Sequence, residues 1–175
     1  VAALREQIAW LERRPLFGRT VAVTRARAQA SALADRLRAL GAEVVEAPAI
    51  RTRPLEVSLP EVSSYDLLCV TSPTGAAQLF EHLRDARDLA GVTVAAIGPG
   101  TARALRERGV EPDVVPRRAV AEALAEALAD VPVRRALIAR AAEGRDVLPD
   151  ALRERGAHVD VVALYETVPE PLSEE

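Results

Sequence analysis

Three segments of this 175-residue chain repeat one pattern, in which an apolar strand runs into a small polar or glycine-rich turn and a helix follows. They are Leu67–Leu83, Val94–Gly109 and Ala136–Gly156. In a parallel sheet, each copy places unpaired backbone N–H groups and the positive end of a helix dipole at the carboxyl edge. Such an edge binds anions, and three copies side by side suit a ligand with several carboxylates or phosphates.

The order of the elements predicts an open parallel α/β sheet. Arg19–Ala26 has the pattern of a buried strand, Ala30–Gly41 that of an amphipathic helix ended by glycine, and Ala42–Leu55 is extended. Together they form a β-α-β unit, for which a right-handed crossover is expected. The Pro-punctuated stretch Pro54–Pro60 is interpreted as a linker or crossing strand.

The alternation continues to the last predicted strand. The further predicted strands are Leu67–Val70, Val92–Ile97, Asp113–Val115, Ala136–Ala139 and His158–Tyr165, and the predicted helices are Gly75–Arg84, Gly100–Arg108, Ala119–Ala129 and Asp146–Arg155. Helical spacing also marks Val1–Arg14, where Trp10 is a candidate anchor for an interaction.

Composition narrows the class of protein. Apolar residues make up 49% and aromatic residues 3% of the chain, so an aliphatic core is expected. A net charge of −3 offers no basic surface for nucleic acid. The single cysteine, Cys69, lies in an apolar run and is interpreted as a buried small hydrophobe. The sequence has no run of apolar residues long enough for a membrane span and no signal peptide, so a cytoplasmic location is expected.

The two ends of the sequence predict a piece of a longer product. The chain begins with Val1 instead of methionine, and it ends at Glu175 without a closing element.

Hydroxyl and glycine residues occupy the first two turns. Thr71 and Ser72 either cap the following helix or bind a carboxylate, and capping is the commoner role. Gly98 begins a G-x-G pattern, but Arg103 stands where a dinucleotide fingerprint has its third glycine. With Thr101 in the first helical turn, this segment is instead interpreted as an anion site.

Charged and titratable residues follow the other strands. Arg25, Arg140 and Arg145 are candidates for gripping carboxylates, although solvated loop arginines are common. Tyr165, at the end of the last strand, is either a proton donor or a packed tyrosine bonded to backbone. His82 and His158 lack metal-ligand spacing, and no metal site is expected.

In their order along the chain, the segments resemble uroporphyrinogen-III synthase. The resemblance rests on FGRTVAVTRARAQASALADRLRALGAEVVEAPAI, YDLLCVTSPTGAAQLF, VAAIGPGTARALRERGVEPDVVP, AEALAEAL and ARAAEGRDVLPDALRERGAHVDVVALYETVP, and it covers about Phe17 to Pro169. The preceding ALREQIAWLERRPLFG is similar to the end of a uroporphyrinogen-III C-methyltransferase domain. That similarity implies a fusion protein making sirohaem or cobalamin precursors.

The resemblance implies two flavodoxin-like α/β domains, the first of them discontinuous. On this sequence, residues 1–18 would be a helical tail, 19–49 the opening β-α-β of the first domain, 50–168 a complete inserted second domain and 169–175 the start of a return linker. The family's later strand–turn–helix repeats, which complete its first domain, have no counterpart here. Little or no activity is therefore expected from these residues alone, within a synthase module taken as monomeric.

The resemblance also implies a cofactor-free lyase reaction. Hydroxymethylbilane, a linear tetrapyrrole carrying acetate and propionate groups, loses water and closes to uroporphyrinogen III with inversion of ring D through a spiro intermediate. Tyr165 matches the family's tyrosine thought to assist departure of the hydroxyl. The family's turn residues match here at Arg25, Thr71, Ser72 and Thr101.

A non-catalytic flavodoxin-like module that binds anions or sugar phosphates is the alternative. A receiver domain, one form of such a module, would need an acidic cluster at its strand ends. The first strand here ends instead in Thr24 and Arg25.

Overall fold

A computed structural model of the chain describes residues 12–171, with the backbone alone at residues 27–30. The chain divides into two compact units: one runs up to Thr52 and resumes at Thr167, and the other is Arg53–Glu166. Domain boundaries at residues 49/50 and 168/169, expected from the resemblance, lie near these divisions, and the domain assignment stays a prediction. Most of the helix predicted over Val1–Arg14, with Trp10, lies outside the described residues, and residues 12–14 are not helical.

The first unit contains the predicted β-α-β arrangement. Strand β1 (Thr20–Val23), helix α1 (Arg27–Ala39) and strand β2 (Glu43–Glu46) follow one another, and the two strands pair in parallel. The helix ends before Gly41, whose φ of +95° lies in the left-handed region that glycine adopts without strain. The extended segment predicted over Ala42–Leu55 is interrupted at residues 47–49.

The second unit is built on a larger sheet. Its strands are β3 (Ile50–Pro54), β4 (Leu67–Val70), β5 (Thr93–Ala96), β6 (Arg135–Ala141) and β7 (His158–Pro169), in the spatial order β3-β7-β6-β4-β5. The unit boundary divides β3 and β7. Its helices are α2 (Pro73–Phe80), α3 (Pro99–Arg106), α4 (Ala121–Ala127) and α5 (Val147–Glu154), with 3₁₀ turns at Val62–Ser64 and Ala86–Leu89. Strands β4 to β7 pair in parallel, as the sequence predicts.

Both faces of the central strands are buried. Leu68 on β4 and Leu137 on β6 belong to one apolar cluster with residues of α2 and α3. Their neighbours Leu67 and Ile138 point to the opposite face and join a second cluster with residues of α4 and α5. Because successive side chains of a strand alternate between faces, this pattern produces a three-layer α/β unit.

The structure corrects one predicted strand. Asp113–Val115 contributes only an isolated bridge between Ala95 and Val114. The Asp113 carboxylate accepts the N–H of Val94 at 2.7 Å, so a side chain occupies a place that a strand backbone would take. Pro116 follows and has no N–H to extend the pairing.

Several elements also differ from the prediction in length, helix α2 and strand β7 among them. Helix α2 ends at Phe80, short of the predicted Arg84, and Asp85 starts a 3₁₀ turn by accepting the N–H of Arg87. Strand β7 runs to Pro169 instead of ending at Tyr165, and the N–H of Glu170 donates to the carbonyl of Ala49 beyond it. Long-range pairing therefore sets where this strand ends. None of the helices within residues 12–171 combines the length and apolar character that a membrane span requires.

Cys69 is expected to resist thiol reagents in the folded protein. Its side chain is fully buried, and burial raises the pKa of the thiol to about 12, so the reactive thiolate is scarce at neutral pH. We expect labelling by a disulfide reagent at pH 8 to be slow in buffer and complete in denaturant. Rapid labelling in buffer would show that β4 is open to solvent.

Candidate functional site

The strand order creates a crevice between β4 and β6. The chain passes from β4 to β5 on one side of this pair, and from β6 to β7 on the other. The connections also leave on opposite faces, because α2 follows β4 into one core cluster and α5 follows β6 into the other. In open α/β sheets, ligands bind outside the carboxyl ends of strands at such a reversal.

Tyr165 and Ser72 meet at this edge. The Tyr165 hydroxyl lies 2.8 Å from Ser72 Oγ, and Ser72 Oγ in turn accepts the N–H of Gly75 at 2.8 Å. Ser72 is therefore the N-cap of α2 and a partner of the tyrosine at once. Tyr165 is 8% exposed, and its carbonyl accepts the N–H of Ala142 from the turn after β6.

A cavity of about 290 Å³ opens beside the tyrosine. Its wall is formed by residues from the carboxyl ends of β4, β5 and β6, from the segment before α4 and from the start of α5. They are Thr71, Ile97, Ala119, Val120, Ala121, Ile138, Arg140, Ala141, Gly144, Arg145, Leu148, Pro149 and Tyr165. Most of this wall is apolar, with a hydroxyl or a guanidinium at four positions, which is the usual make-up of a small-molecule site.

Thr71 contacts β6 as well as the cavity. Its N–H and its hydroxyl both donate to the Ala139 carbonyl, at 3.2 Å and 3.4 Å. These bonds tie the end of β4 to β6, where the crevice opens. A role for Thr71 in binding substrate stays a prediction.

Arg140 holds the turn between β6 and α5 in place. Its guanidinium donates to the carbonyl of Arg145 and to the carboxylate of Asp146, each at 2.7 Å. The side chain is 13% exposed, and its Nε is buried without a hydrogen-bond partner among the described residues. A methyl group on Gly144 would come within 2.6 Å of Arg140 Cδ, so glycine allows this close packing.

Arg145, which lines the cavity, is paired with Glu122, the second residue of α4. Its guanidinium nitrogens lie 3.0 and 3.4 Å from the two carboxylate oxygens. The backbone N–H of Glu122, and then Arg145, hold the pKa of this carboxyl below its ordinary value. Both side chains are more than half exposed, and an ion pair this exposed to solvent contributes little to stability. Arg145 can therefore exchange Glu122 for a ligand carboxylate at little cost.

Gly98 and Thr101 lie at the turn after β5 but do not line the cavity. A methyl group on Gly98 would stand 2.5 Å from the Cβ of Ala119, so this glycine permits close approach of the segment before α4. Thr101 is 2% exposed and sits beside the core residues Ala102 and Leu105. Their part in anion binding stays a prediction.

Arg25 belongs to the first unit, where it follows β1 in an exposed position. The residues that the structure brings together all lie in the second unit: Thr71, Ser72, Arg140, Arg145 and Tyr165. Within residues 12–171, no three His, Cys, Asp or Glu side chains are grouped as metal ligands would be.

Sequence reasoning did not single out Glu122, Asp146 or Ala119. In the sequence, Glu122 and Asp146 resemble ordinary acidic residues near helix N-termini. Only the structure shows that they pair with Arg145 and Arg140. Ala119 carries no chemical signal, because its role is to pack against Gly98.

The fold and the site define a class: an open parallel α/β protein with a small-molecule site at the reversal of its strand order. The family model for uroporphyrinogen-III synthase HemD matches residues 31–175. The chain therefore belongs to the uroporphyrinogen-III synthase family.

Individual relatives agree with this assignment. A porphyrin biosynthesis protein HemD from Ruminiclostridium josui is 33% identical, over 95% of this chain and 36% of that protein. A uroporphyrinogen-III synthase from Synechococcus elongatus is 31% identical, over 87% of this chain and 62% of that protein. The chain thus spans between about a third and two thirds of the length of these curated relatives.

Solved structures show the same fold. A mutant uroporphyrinogen III synthase from Thermus thermophilus superposes with a TM-score of 0.62 and 26% identity, covering 88% of this chain and 64% of that one. A uroporphyrinogen-III synthetase from Helicobacter pylori matches with a TM-score of 0.58 at 17% identity, a likeness of fold alone. It covers 89% of this chain and 64% of that one.

Proposed function

We propose that the chain contributes to the conversion of hydroxymethylbilane into uroporphyrinogen III, with loss of water and inversion of ring D. The observation that carries the proposal is the Tyr165 hydroxyl, which lies beside Ser72 at the edge of the cavity in a member of the synthase family. The substrate is a linear tetrapyrrole, and its product belongs to the haem, sirohaem and cobalamin precursors.

Tyr165 is the proposed proton donor. When the C–O bond of the hydroxymethyl group breaks, the hydroxyl leaves as water and takes up one proton. Tyr165 is the tyrosine at the cavity, and a phenol hydroxyl is a hydrogen-bond donor that can act as a general acid. Most of the cavity wall is apolar, so few other polar groups of the protein compete with the phenol for the charge that develops on the leaving oxygen.

The cationic and hydroxyl groups are proposed to hold the carboxylates of the substrate. Arg145 releases Glu122 to bind one of them, while Arg140 keeps the turn in shape. Thr71 contributes a hydroxyl at the crevice, and Arg25, Gly98 and Thr101 remain candidates for further carboxylates. The main catalytic task is then to hold the substrate in a shape that directs the inversion of ring D. Proton donation by Tyr165 makes a further contribution to the rate.

Two further proposals come from the sequence. The similarity of the first residues to the end of a methyltransferase domain supports a fusion protein, and the synthase module is proposed to act as a monomer. Neither affects the chemistry assigned to Tyr165.

Replacing Tyr165 by phenylalanine is expected to lower turnover about tenfold with little change in KM, which corresponds to about 1.4 kcal/mol of transition-state stabilisation. Phenylalanine keeps the aromatic ring in the cavity wall and lacks the hydroxyl proton. Conversion of enzymatically generated hydroxymethylbilane to the type III isomer is measured in the natural protein that contains this sequence.

The matched control is Tyr65→Phe. The Tyr65 hydroxyl donates to Asp160 at 2.7 Å and does not line the cavity, so its loss is expected to reduce stability and leave turnover unchanged. An equal turnover for Tyr165→Phe and wild type would make Tyr165 a packing residue. Tight binding of a polycarboxylate porphyrinogen by the wild-type protein without any conversion would favour the anion-binding module instead.

A further inference from the structure

Ser72 lies between a helix end and the phenol of Tyr165. Its Oγ is 2.8 Å from the Gly75 nitrogen and 2.8 Å from the Tyr165 oxygen. Within residues 12–171, these two groups are the polar partners that the Ser72 side chain has. The Gly75 N–H has no lone pair to offer, so in that bond Ser72 Oγ is the acceptor.

A count of protons and lone pairs, taken together with the lining of the cavity, favours one direction for the other bond. A serine hydroxyl carries one proton and two acceptor sites, and a phenol is both donor and acceptor. If Tyr165 donated to Ser72, both acceptor sites of Ser72 would be used, and the Ser72 proton would need a further acceptor, although Ser72 does not line the cavity. If Ser72 donates to Tyr165, the phenol proton needs the further acceptor instead, and Tyr165 lines the cavity, where a ligand can supply one.

We propose that Ser72 donates its hydroxyl proton to Tyr165 and so directs the Tyr165 O–H toward the cavity. Tyr165 lines the cavity and Ser72 does not, so of the two bonded side chains only the tyrosine adjoins the ligand space. Ser72 is thereby a positioning residue. The proposal rests on the proposed function, because it gives the direction in which the phenol supplies its proton.

The surroundings keep this geometry in place. Ser72 is fixed by capping α2, with Pro73 as the first helical residue. The tyrosine is held by the bond between its carbonyl and the Ala142 N–H, and it is packed in the core cluster that contains α2 and α3. An amide N–H that donates to Ser72 also polarises the serine O–H, which strengthens the bond from Ser72 to Tyr165.

The test uses two replacements that are nearly isosteric with each other, Ser72→Asn and Ser72→Asp. Both are favoured N-caps, so each can accept the Gly75 N–H and keep α2 in place. An asparagine amide still has protons to donate to Tyr165, whereas an ionised aspartate only accepts and forces the phenol to donate toward it. The pair therefore separates the direction of the hydrogen bond from the capping of the helix.

The first readout needs no substrate. In these 175 residues carrying Tyr65→Phe, Tyr165 is the one tyrosine left, and its Fermi doublet in the Raman spectrum reports whether the phenol is a strong donor. We expect wild-type-like spectra for Ser72→Asn and a strong-donor ratio for Ser72→Asp. A strong-donor ratio already present with Ser72, and unchanged in Ser72→Asp, would overturn the proposal.

The second readout is kinetic. We expect kcat for hydroxymethylbilane to fall about tenfold in Ser72→Asp relative to Ser72→Asn, while repulsion between the introduced carboxylate and those of the substrate appears separately as a rise in KM. Equal kcat in the two variants would contradict a positioning role. If the parent protein fails to convert hydroxymethylbilane, the proposed function falls, while the Raman result still decides the direction of the bond.

Discussion

Replacing Leu137 by alanine is expected to lower the free energy of unfolding of the second unit by about 2–5 kcal/mol. Leu137 is fully buried in β6, the central strand of the five-stranded sheet. It belongs to the apolar cluster formed with α2 and α3, so truncation removes buried methyl groups and leaves a cavity that packed neighbours close only in part. Urea unfolding followed by far-UV circular dichroism gives the value.

The control for this core substitution is Val115→Ala in the same unit. Val115 is 37% exposed, so its truncation is expected to change stability by about 0.5 kcal/mol or less. A loss below about 1 kcal/mol for Leu137→Ala would mean that the sheet face is loosely packed. Comparable losses at the two positions would mean that burial does not set stability here.

Exchanging glycine for alanine at two positions of one turn is expected to have opposite effects. At Gly98, a methyl group would meet the Cβ of Ala119 at 2.5 Å and its Cα at 3.2 Å. The segment before α4 must then move away, and overpacking of this kind costs about 1–3 kcal/mol. Because that segment also lines the cavity, we expect weaker substrate binding as well.

At Gly100, the nearest atom to an added methyl group is Pro73 Cγ, at an ordinary 3.6 Å. Gly100 lies in the first turn of α3, where alanine loses less conformational entropy on folding, so Gly100→Ala is expected to be neutral or stabilising by up to about 1 kcal/mol. Thermal melts of the two variants provide the comparison. A stable Gly98→Ala protein with normal binding would show that the turn and the segment before α4 move apart freely.

The parallel α/β architecture follows from local patterns in the sequence. The run Leu67–Val70 is apolar at every position, as a strand covered on both faces must be, and the structure has a strand with these bounds. Helix positions also agree, because periodic apolar residues and glycine stops are local signals. The strand predicted at Asp113–Val115 is wrong because a side chain, Asp113, takes the N–H of Val94, and no local pattern reports that contact.

The site is only partly predictable in the same way. The sequence identifies several polar residues at strand ends, namely Ser72, Arg140, Arg145 and Tyr165. The resemblance to the synthase family suggests which ligand they would bind. Their partners are not recognisable, because Glu122 lies 23 residues from Arg145 and Tyr165 lies 93 residues from Ser72. Such pairs form only once the strand order is established.

The sequence by itself determined the class of fold, because hydrophobic periodicity and turn residues act over a few neighbouring positions, and its resemblance to known proteins indicated the family. The tertiary structure decided what those residues do. It assigned Arg140 to holding a turn, Gly98 to close packing and Ser72 to the phenol of Tyr165. These roles depend on distances between segments remote in the chain, which are set when β4 and β6 come together and bury both faces of the sheet.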